Sequence, residues 1–598
     1  MIPSLSSNPS DLSSNSLQRG RACLACRCDG ARPTCGQCIR GDRIDDCEYT
    51  DGQTRSRTQM LEDDVARLQA RIHELEHPDE AQAPIVLHNP YQQGSGSPVG
   101  AISASSTSSA SSPVTSEPQV LSLVYFMLMY AKAPSIHSRA SSDSNVATSW
   151  WNVEEPPTHI VQALMDNFIP HASELGFFLN ISRFRDSLLS PASFDYLHRP
   201  SPTLLNVLFL WNAHLCQSDA FVALEPTFLS RTLKHLAIAL SNIQSHQLLH
   251  IIQAELLLSY YFLRKDRFLE GRYHCSAAAS LVLSFNLHKI RSVHSQSVPE
   301  TLFSIRGNDE AELPLPSDTI EEGERINAFW SVLVLDKCWA VTFGVPSNLS
   351  TNPLPGIRVD TPWPMDMYAY ESGQLVPTVQ GNDTIQNFLS SSPDNADQGR
   401  SLLALQCKAV LLLEKATGLA EQYNADPRLG DSSDYRTQFC ALDEFIDTFQ
   451  KSLPRPAQFD SATRTQAVIK MLLMVHVIAL TATVQLHHIL MSRNTASNQK
   501  SISSAVAIVN IVDVVKVKDL GYLNPLLVNL LAAIVHIIGS EVSRLRSLRA
   551  NLATGPAGRG EESLVDALRR LVGALIGATG VCPSHLFQRK FEGLPLLE

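Results

Sequence analysis

The chain has 598 residues, of which 44% are hydrophobic, and a formal net charge of −11. This length exceeds what one hydrophobic core normally supports, so we expect two or more structural units. The acidic balance excludes a uniformly basic nucleic-acid coat protein, and any contact with nucleic acid must therefore be local. The first residues lack the charged and apolar segments of a secretory signal.

Residues 1–18 are polar and Ser-rich, a composition that predicts disorder. Residues 19–52 then hold half of the twelve cysteines, in two C-x2-C pairs and a shorter C-x-C step. A C-x2-C pair lets two thiolates bind one tetrahedral Zn²⁺, and without a secretory signal such a cluster favours metal over disulfides. Six thiolates suffice for two metal ions that share two bridging sulfurs. The six are Cys23, Cys26, Cys28, Cys35, Cys38 and Cys47.

The run CDGARPTCGQC, followed by eight residues and Cys47, resembles the second part of the fungal binuclear zinc-cluster DNA-binding domain. Arg32-Pro33 matches the loop that joins the two halves of that domain. The resemblance implies that all six cysteines are zinc ligands, with Cys23 and Cys35 bridging, and that each chain carries two Zn²⁺. It also implies a nuclear protein that binds double-stranded DNA and acts on the RNA polymerase II transcription machinery.

One departure from the family concerns the gap between Cys26 and Cys28, which holds only Arg27. The family has six residues there, a basic helix turn that reads bases in the major groove. Between residues 19 and 57 there are eight Arg, no Lys and six acidic residues, a net charge of only +2. Either a mis-predicted splice junction dropped five codons, which we favour, or tight DNA binding has been lost. A broken shortened half would leave one zinc per chain.

Four arginines of this segment are candidates for contacts with DNA phosphates, which position a protein without specifying sequence. They are Arg21, Arg27, Arg32 and Arg40.

Residues 56–77 carry apolar side chains at alternating spacings of four and three, with Leu at d and β-branched residues at a. This pattern predicts a short parallel coiled coil and hence a homodimer or heterodimer. A single amphipathic helix packed on the rest of the protein is the alternative. The predicted interface residues are Leu61, Val65, Leu68, Ile72 and Leu75.

Residues 78–118 are rich in Ser, Gly and Pro, which predicts a flexible linker. Residues 119–545 are Leu-rich with helical periodicity, so we expect a large helical domain, with loops at 292–318 and 371–398. Residues 546–598 are predicted to form a linker and a last short helix. The predicted fold class is therefore mostly α, with a small zinc cluster, a coiled coil and a disordered linker ahead of an all-helical domain.

Three segments of the helical domain, 156–195, 268–290 and 321–348, resemble the regulatory region of fungal transcription factors. The most characteristic residues are Arg325, Trp330, Asp336 and Gly344-x-Pro346, and the DTPWP stretch at 360–364 fits the loop that follows. Asp336 lies in a nearly all-apolar helix and needs a partner, for which Arg325 or Lys337 is predicted.

The sequence contains no Gly-x-Ser-x-Gly, P-loop or dinucleotide-binding motif, so we expect no enzyme. His487 and His488 have no acidic residue at metal-ligand spacing and are predicted to be a surface or capping pair. The longest apolar runs are too short to span a membrane and predict buried helices. The six scattered cysteines are expected to be small buried hydrophobic residues.

The function predicted from these features is a DNA-binding transcription factor. Two alternatives stay open: an interaction protein that lacks DNA binding and dimerises with a complete zinc-cluster partner, and an enzyme or small-molecule sensor without DNA contact.

Overall fold

The computed structural model divides the chain into two compact units, residues 1–113 and 114–598. The described residues are 35–41, 66 and 69 in the first unit, and the following ranges in the second: 156–189, 199–216, 219–241, 247–293, 313–349, 358–376, 378–390, 399–456, 464–491, 494–552 and 558–578.

The described residues form α-helices and short 3₁₀ turns, and they contain no β-strand beyond one isolated bridge between Ser292 and Gly381. The prediction of a mostly α fold is therefore confirmed. The helices of the first half are α1 (Gly36–Arg40), α2 (Thr158–Ala172), α3 (Ile181–Leu189), α4 (Pro202–Leu215), α5 (Asp219–Val222), α6 (Glu225–Ser241), α7 (Leu248–Arg264) and α8 (Phe268–Ser284). Those of the second half are α9 (Thr319–Phe343), α10 (Met367–Glu371), α11 (Thr384–Leu389), α12 (Leu402–Ala425), α13 (Ser433–Ser452), α14 (Gln466–His488), α15 (Thr495–Val515), α16 (Pro525–Leu552) and α17 (Arg559–Ala578).

Several helices begin at side chains that the sequence supplies for this purpose. Ser201, Ser401 and Thr465 each accept a hydrogen bond from the backbone N–H three residues later, at the starts of α4, α12 and α14. Such caps satisfy donors that have no partner inside the helix. At α9, Asp318 accepts from the N–H of Glu321, and the Glu321 carboxylate accepts from the N–H of Ser317. This reciprocal arrangement fixes the first turn of the helix.

The second unit is built around a row of long helices, in which α4 packs on α7, α7 on α8, α8 on α9, α9 on α12, α12 on α14 and α14 on α15. Helix α16 contacts α7, α9, α14 and α15, and α17 packs on α15 and α16. One continuous cluster of buried apolar side chains extends from Ile160 to Leu575. The predicted boundary at residue 545 falls inside α16, and the last helix belongs to the same core.

Three described helices, α9, α14 and α16, have the length and apolar composition of a membrane-spanning helix, and 67–78% of their apolar windows is buried in the bundle. Burial against neighbouring helices accounts for this composition, as expected for buried core helices. One predicted loop is corrected: residues 371–398 include α11, whose backbone is held to the loop before it by a hydrogen bond from Thr384 N–H to the Val359 carbonyl.

Four of the scattered cysteines are buried as predicted: Cys216, Cys275, Cys338 and Cys407. Burial raises the pKa of Cys216 to about 11 and that of Cys338 to about 12, which keeps both as neutral thiols. The prediction is wrong for Cys440, which is exposed on α13. Cys582 lies outside the described residues.

Candidate functional site

Cys35 and Cys38, the second C-x2-C pair, lie at the start of α1 and are 0% and 3% exposed. Cys35 is the N-cap residue, and its Sγ accepts a hydrogen bond from the N–H of Cys38 at 3.4 Å. Two buried sulfurs on one turn, one of them hydrogen-bonded, are what a C-x2-C pair offers to zinc. The donor chemistry of these two residues therefore fits a zinc site.

Arg40 lies in the last turn of the same helix and is exposed, next to Ile39, which is 55% exposed. The helix ends at Gly41, whose N–H donates to the carbonyls of Gln37 and Ile39. Arg40 is therefore accessible to a phosphate.

The other predicted zinc ligands and phosphate contacts lie outside the described residues. They are Cys23, Cys26, Cys28, Cys47, Arg21, Arg27 and Arg32. Among the residues that are described, no group of three or more His, Cys, Asp or Glu side chains is placed to hold a metal ion. The six-cysteine cluster consequently stays a prediction.

The predicted coiled-coil residues, Leu61, Val65, Leu68, Ile72 and Leu75, also lie outside the described residues. Two positions between them are described: Ala66 and Gln69 are helical and exposed. They occupy the b and e positions of the predicted heptad, where exposure is expected.

The residues of the regulatory-region resemblance converge in the second unit around α9. Trp330 is fully buried, donates its indole N–H to the carbonyl of Pro362 at 2.7 Å, and stacks on Trp363 with 4.6 Å between ring centroids. The DTPWP loop is therefore held against α9 by the contacts of Trp363, which belongs to the loop, and Trp330, which belongs to the helix. The loop is also bound to the segment after α8, because Thr361 Oγ1 donates to the Leu287 carbonyl and accepts from the N–H of Ile290.

Asp336 holds the turn that follows α9. Its carboxylate accepts hydrogen bonds from Ser347 Oγ at 2.6 Å, from Asn348 N–H and Nδ2, and from Leu349 N–H at 2.9 Å. Gly344 makes this turn possible because it ends the helix with a φ of +61°, a conformation that other residues rarely adopt. The Gly344-x-Pro346 sequence thus brings a turn back onto the buried Asp336.

The predicted partners of Asp336 are wrong in this geometry. Arg325 donates instead to Glu321 Oε1 at 2.6 Å and to the Pro314 carbonyl, both near the start of α9. Lys337, fully buried, donates to Glu414 of α12 at 2.6 Å and to the Leu349 carbonyl. Donors of the turn after α9 satisfy Asp336 instead, and how closely that turn returns to the helix cannot be read from residue spacing.

Helix α14 carries the predicted histidine pair, and the two rings have different surroundings. His487 is 5% exposed and lies 3.0 Å from Asp443 and 3.1 Å from Ser497, through its two ring nitrogens. His488 is exposed. The surface or capping prediction is thus wrong for His487. Its partner Asp443 comes from α13, and residue spacing along α14 does not reveal a partner on another helix.

A second buried polar group joins elements that are distant in sequence. Lys470 of α14 donates to Glu174, which follows α2, at 2.7 Å, and to the Tyr522 carbonyl at 2.8 Å. Asn524 donates to the Glu174 carbonyl. Burial raises the pKa of Glu174 to about 7 against the opposing effect of Lys470. These contacts join the N-terminal and C-terminal parts of the helical unit.

Comparison with known families identifies the class of this helical region. Residues 175–373, which are 199 of the 598, match the model of the fungal specific transcription factor domain. The match includes Trp330, Asp336 and the DTPWP loop, so the contacts of these residues lie in the part of the chain that is similar to this domain. It indicates a role in transcription regulation, and this domain class is not enzymatic. Neither the curated proteins nor the solved structures gave a match.

Sequence reasoning missed a set of polar residues on the apolar helix α9. Asn327 and Ser331 are four residues apart and, with Val334, share one face of the helix. The sequence shows these two polar residues four positions apart in an apolar helix. Their role, however, depends on which residues of other elements lie opposite them.

Proposed function

We propose that this protein is a nuclear transcription factor of RNA polymerase II genes that binds double-stranded DNA through the segment of residues 19–52. Two Zn²⁺ per chain would be held by the six cysteines from Cys23 to Cys47, as the family resemblance implies. The observation that supports the proposal is the occurrence in one chain of a buried Cys35–Cys38 pair and of a region that matches the fungal specific transcription factor domain.

Each part of the chain has a distinct role in this proposal. Zinc supplies the folding energy of a segment that is too small for an apolar core. The heptad segment 56–77 brings two chains together, and the helical domain receives regulatory contacts with the transcription machinery.

Zinc content is the first test. Elemental analysis of the full chain under reducing conditions is expected to give about two zinc ions per chain. The Cys35→Ser variant removes a proposed bridging ligand and should lose most of this zinc. Cys440→Ser is the matched control, because Cys440 is exposed on α13 of the helical unit, and its zinc content should equal that of the original chain. Zinc-free protein would contradict the proposal, and one zinc per chain would place the defect in the shortened half.

DNA reading is the second test, because the single residue between Cys26 and Cys28 specifically favours the interaction-protein alternative. We expect the chain to bind a duplex with paired CGG triplets weakly and with a shallow salt dependence, since few phosphates are neutralised. A six-residue basic spacer between the two cysteines should strengthen selective binding, because each bidentate guanine contact contributes about 1–3 kcal/mol of discrimination.

Gel-shift titrations of both versions at two salt concentrations decide between the alternatives. Tight and selective binding by the original chain would show that the shortened cluster reads DNA unaided. Failure of the restored version to bind would contradict DNA binding and favour the interaction protein. Sequencing the transcript across codons 26–28 tells whether the short gap is real.

Dimerisation is tested by Leu68→Pro in the full chain. Proline inside a helix removes a backbone donor and clashes with the preceding turn, a destabilisation of about 3 kcal/mol or more. Sedimentation should show a dimer that becomes a monomer, with unchanged zinc content. A monomer before mutation would contradict the coiled-coil prediction.

A further inference from the structure

A cavity of about 360 Å³ is lined in large part by residues of the region that matches the regulatory domain. Its walls come from six parts of the second unit: the turn between α2 and α3, helix α7, the Asn327 face of α9, the segment around α10, and the N-terminal parts of α12 and of α14. This volume is within the range of small-molecule sites in proteins, about 300–1,000 Å³.

Most of the lining is apolar. It includes Phe177, Phe178, Val334, Leu402 and Met471.

One residue of the cavity lining carries a hydrogen-bond acceptor without a partner. Asn327 lines the cavity and is 7% exposed, and its Oδ1 atom is buried with no hydrogen-bond partner. An unsatisfied buried acceptor destabilises a protein, because it loses its hydrogen bonds to water without gaining others. Ser331, one helical turn further along the same face of α9, lines the cavity as well. A ligand that donates a hydrogen bond to Asn327 removes this penalty.

The charged groups in the lining are all acidic. Glu174 is buried with its carboxylate bound to Lys470, whereas Asp366 and Glu371 are exposed at the mouth and supply the negative charge. No Lys, Arg or His is part of the lining. An acidic lining disfavours an anion in the cavity and on its approach.

Hydrogen bonds hold the walls in place without a ligand. The fully buried Gln253 of α7 accepts from the N–H of Phe178 at 2.8 Å and donates to the Gly176 carbonyl. Asn180 donates from its backbone to Glu324 of α9 and from its side chain to Glu371 of α10. A preformed cavity loses little conformational freedom when a ligand enters.

Gly323 allows the segment that contains the acidic residues of the cavity mouth to pack closely on α9. Any Cβ on Gly323 would lie 2.4 Å from the ring of Tyr370. Tyr370, itself fully buried, also receives a hydrogen bond on its hydroxyl from the N–H of Met365. The segment from Met365 to Glu371 is thereby fixed against the helix that carries Asn327.

We propose that this cavity is a ligand site for a compact apolar molecule that carries a hydrogen-bond donor and no negative charge, such as an apolar amine or alcohol. The donor binds Oδ1 of Asn327, and the apolar part packs against the aromatic and aliphatic lining. Occupancy joins α7, α9, α12 and α14 and stabilises the regulatory domain by mass action. This inference concerns the helical unit alone and does not depend on DNA binding or zinc.

Three small probes of similar shape test the ligand chemistry on the full chain: phenylbutylamine, phenylbutanol and phenylbutyrate. Binding is measured by ligand-observed NMR and by the shift of the melting temperature. The amine and the alcohol should bind and raise the Tm, and the carboxylate should bind about tenfold more weakly or not at all. Absence of binding by both the amine and the alcohol, or equal binding by the carboxylate, overturns the proposal.

Asn327→Leu tests the role of the amide. The variant should weaken binding of the amine and the alcohol by about tenfold or more. Without ligand its Tm should not fall, because an unpartnered polar atom is replaced by an apolar side chain of similar size.

Asn212→Leu is the matched control, since Asn212 is fully buried but donates to the Leu208 carbonyl and accepts from Asn167. It should lower the Tm and leave the affinity for the probes unchanged. If Asn327→Leu lowers the Tm but binds the probes normally, Asn327 is structural and the proposal is overturned.

Asp366→Asn removes a carboxylate at the mouth of the cavity and leaves Asn327 unchanged, so it tests the charge preference. The variant should reduce the preference for the amine over the carboxylate. Asp434→Asn, which removes an equally exposed carboxylate on α13, should leave the preference unchanged. An identical change in both variants would mean a general charge effect and would contradict the assigned site.

Discussion

Cysteines are buried in two regions of this protein, in opposite chemical settings. Cys35 caps a helix N-terminus, and its sulfur accepts a hydrogen bond from the N–H of Cys38, an arrangement that suits a metal-binding sulfur. Cys338 lies inside α9 among apolar side chains, where burial raises its pKa to about 12 and keeps it a thiol. The comparison teaches that burial alone does not define a cysteine's role; the nearest dipoles and donors do.

The same contrast extends to the way each region is stabilised. The helical unit has a continuous apolar core that runs through its helices. For the N-terminal segment the proposal assigns the stabilisation to metal ligation. The two regions should therefore respond independently to core mutations and to chelators.

Of the variants that test this comparison, Trp330→Ala should have the largest effect on the stability of the helical unit. It removes a fully buried indole, its stacking on Trp363 and its hydrogen bond to Pro362, and should destabilise the helical unit by about 3–5 kcal/mol. Urea unfolding followed by circular dichroism measures the loss, with zinc content expected to stay constant. Leu269→Ala on α8, where Leu269 is 85% exposed, is the control and should change the stability by less than about 0.5 kcal/mol. Loss of zinc in Trp330→Ala would break the independence of the two regions.

Asp336→Ala should have the next largest effect. The variant leaves the donors of Ser347, Asn348 and Leu349 without their shared acceptor and should destabilise the helical unit by about 2 kcal/mol or more. The same urea experiment applies. Asp434→Ala removes a carboxylate that accepts only from the neighbouring Gln438 side chain, and a similar loss there would contradict the specific role of Asp336.

Glu324→Gln should change the pH dependence of stability by a smaller amount. Burial raises the pKa of Glu324 from its ordinary value of 4.5 to about 7. The folded state therefore holds a proton that the unfolded state releases between these values, and the stability that this group contributes falls as pH rises through this window. Glutamine carries no such proton but still accepts from Asn180.

The Tm of Glu324→Gln relative to the original chain should thus increase from acidic to neutral pH in a thermal melt series. Glu421→Gln is the control on the exposed side of α12. A Tm difference that is constant across pH would mean that Glu324 is ionised in the folded protein.

Chelation should have the smallest effect on the helical unit. If the proposed zinc site is correct, a chelator should expose Cys35 and Cys38 to alkylation while the Tm of the bundle stays unchanged. Mass spectrometry locates the modified thiols. Cys338 and Cys407 should stay unmodified in both states because they are buried thiols with raised pKa values. Cys440, which is exposed, should react with and without chelator and serves as the internal positive control.

Local sequence patterns determined the helical class and many helix starts. Ser401, Thr465 and the Asp318–Glu321 pair are signals that act within one turn, so they can be read without tertiary information. The spacing of Cys35 and Cys38 also lies within one turn, and the predicted proximity of their sulfurs follows from it. The resemblance of the Trp330 and Asp336 segment to a fungal regulatory region was supported by the family match.

Only the tertiary structure decided which distant groups meet. Asp443 reaches His487 from another helix, and Glu174 meets Lys470 across 296 positions of sequence. The cavity at Asn327 likewise depends on walls from six separate parts of the chain. Caps and short motifs are fixed by backbone geometry over three or four residues, whereas pockets and buried polar pairs depend on how long helices pack. Packing angles and distances are set by the whole core, which no local pattern encodes.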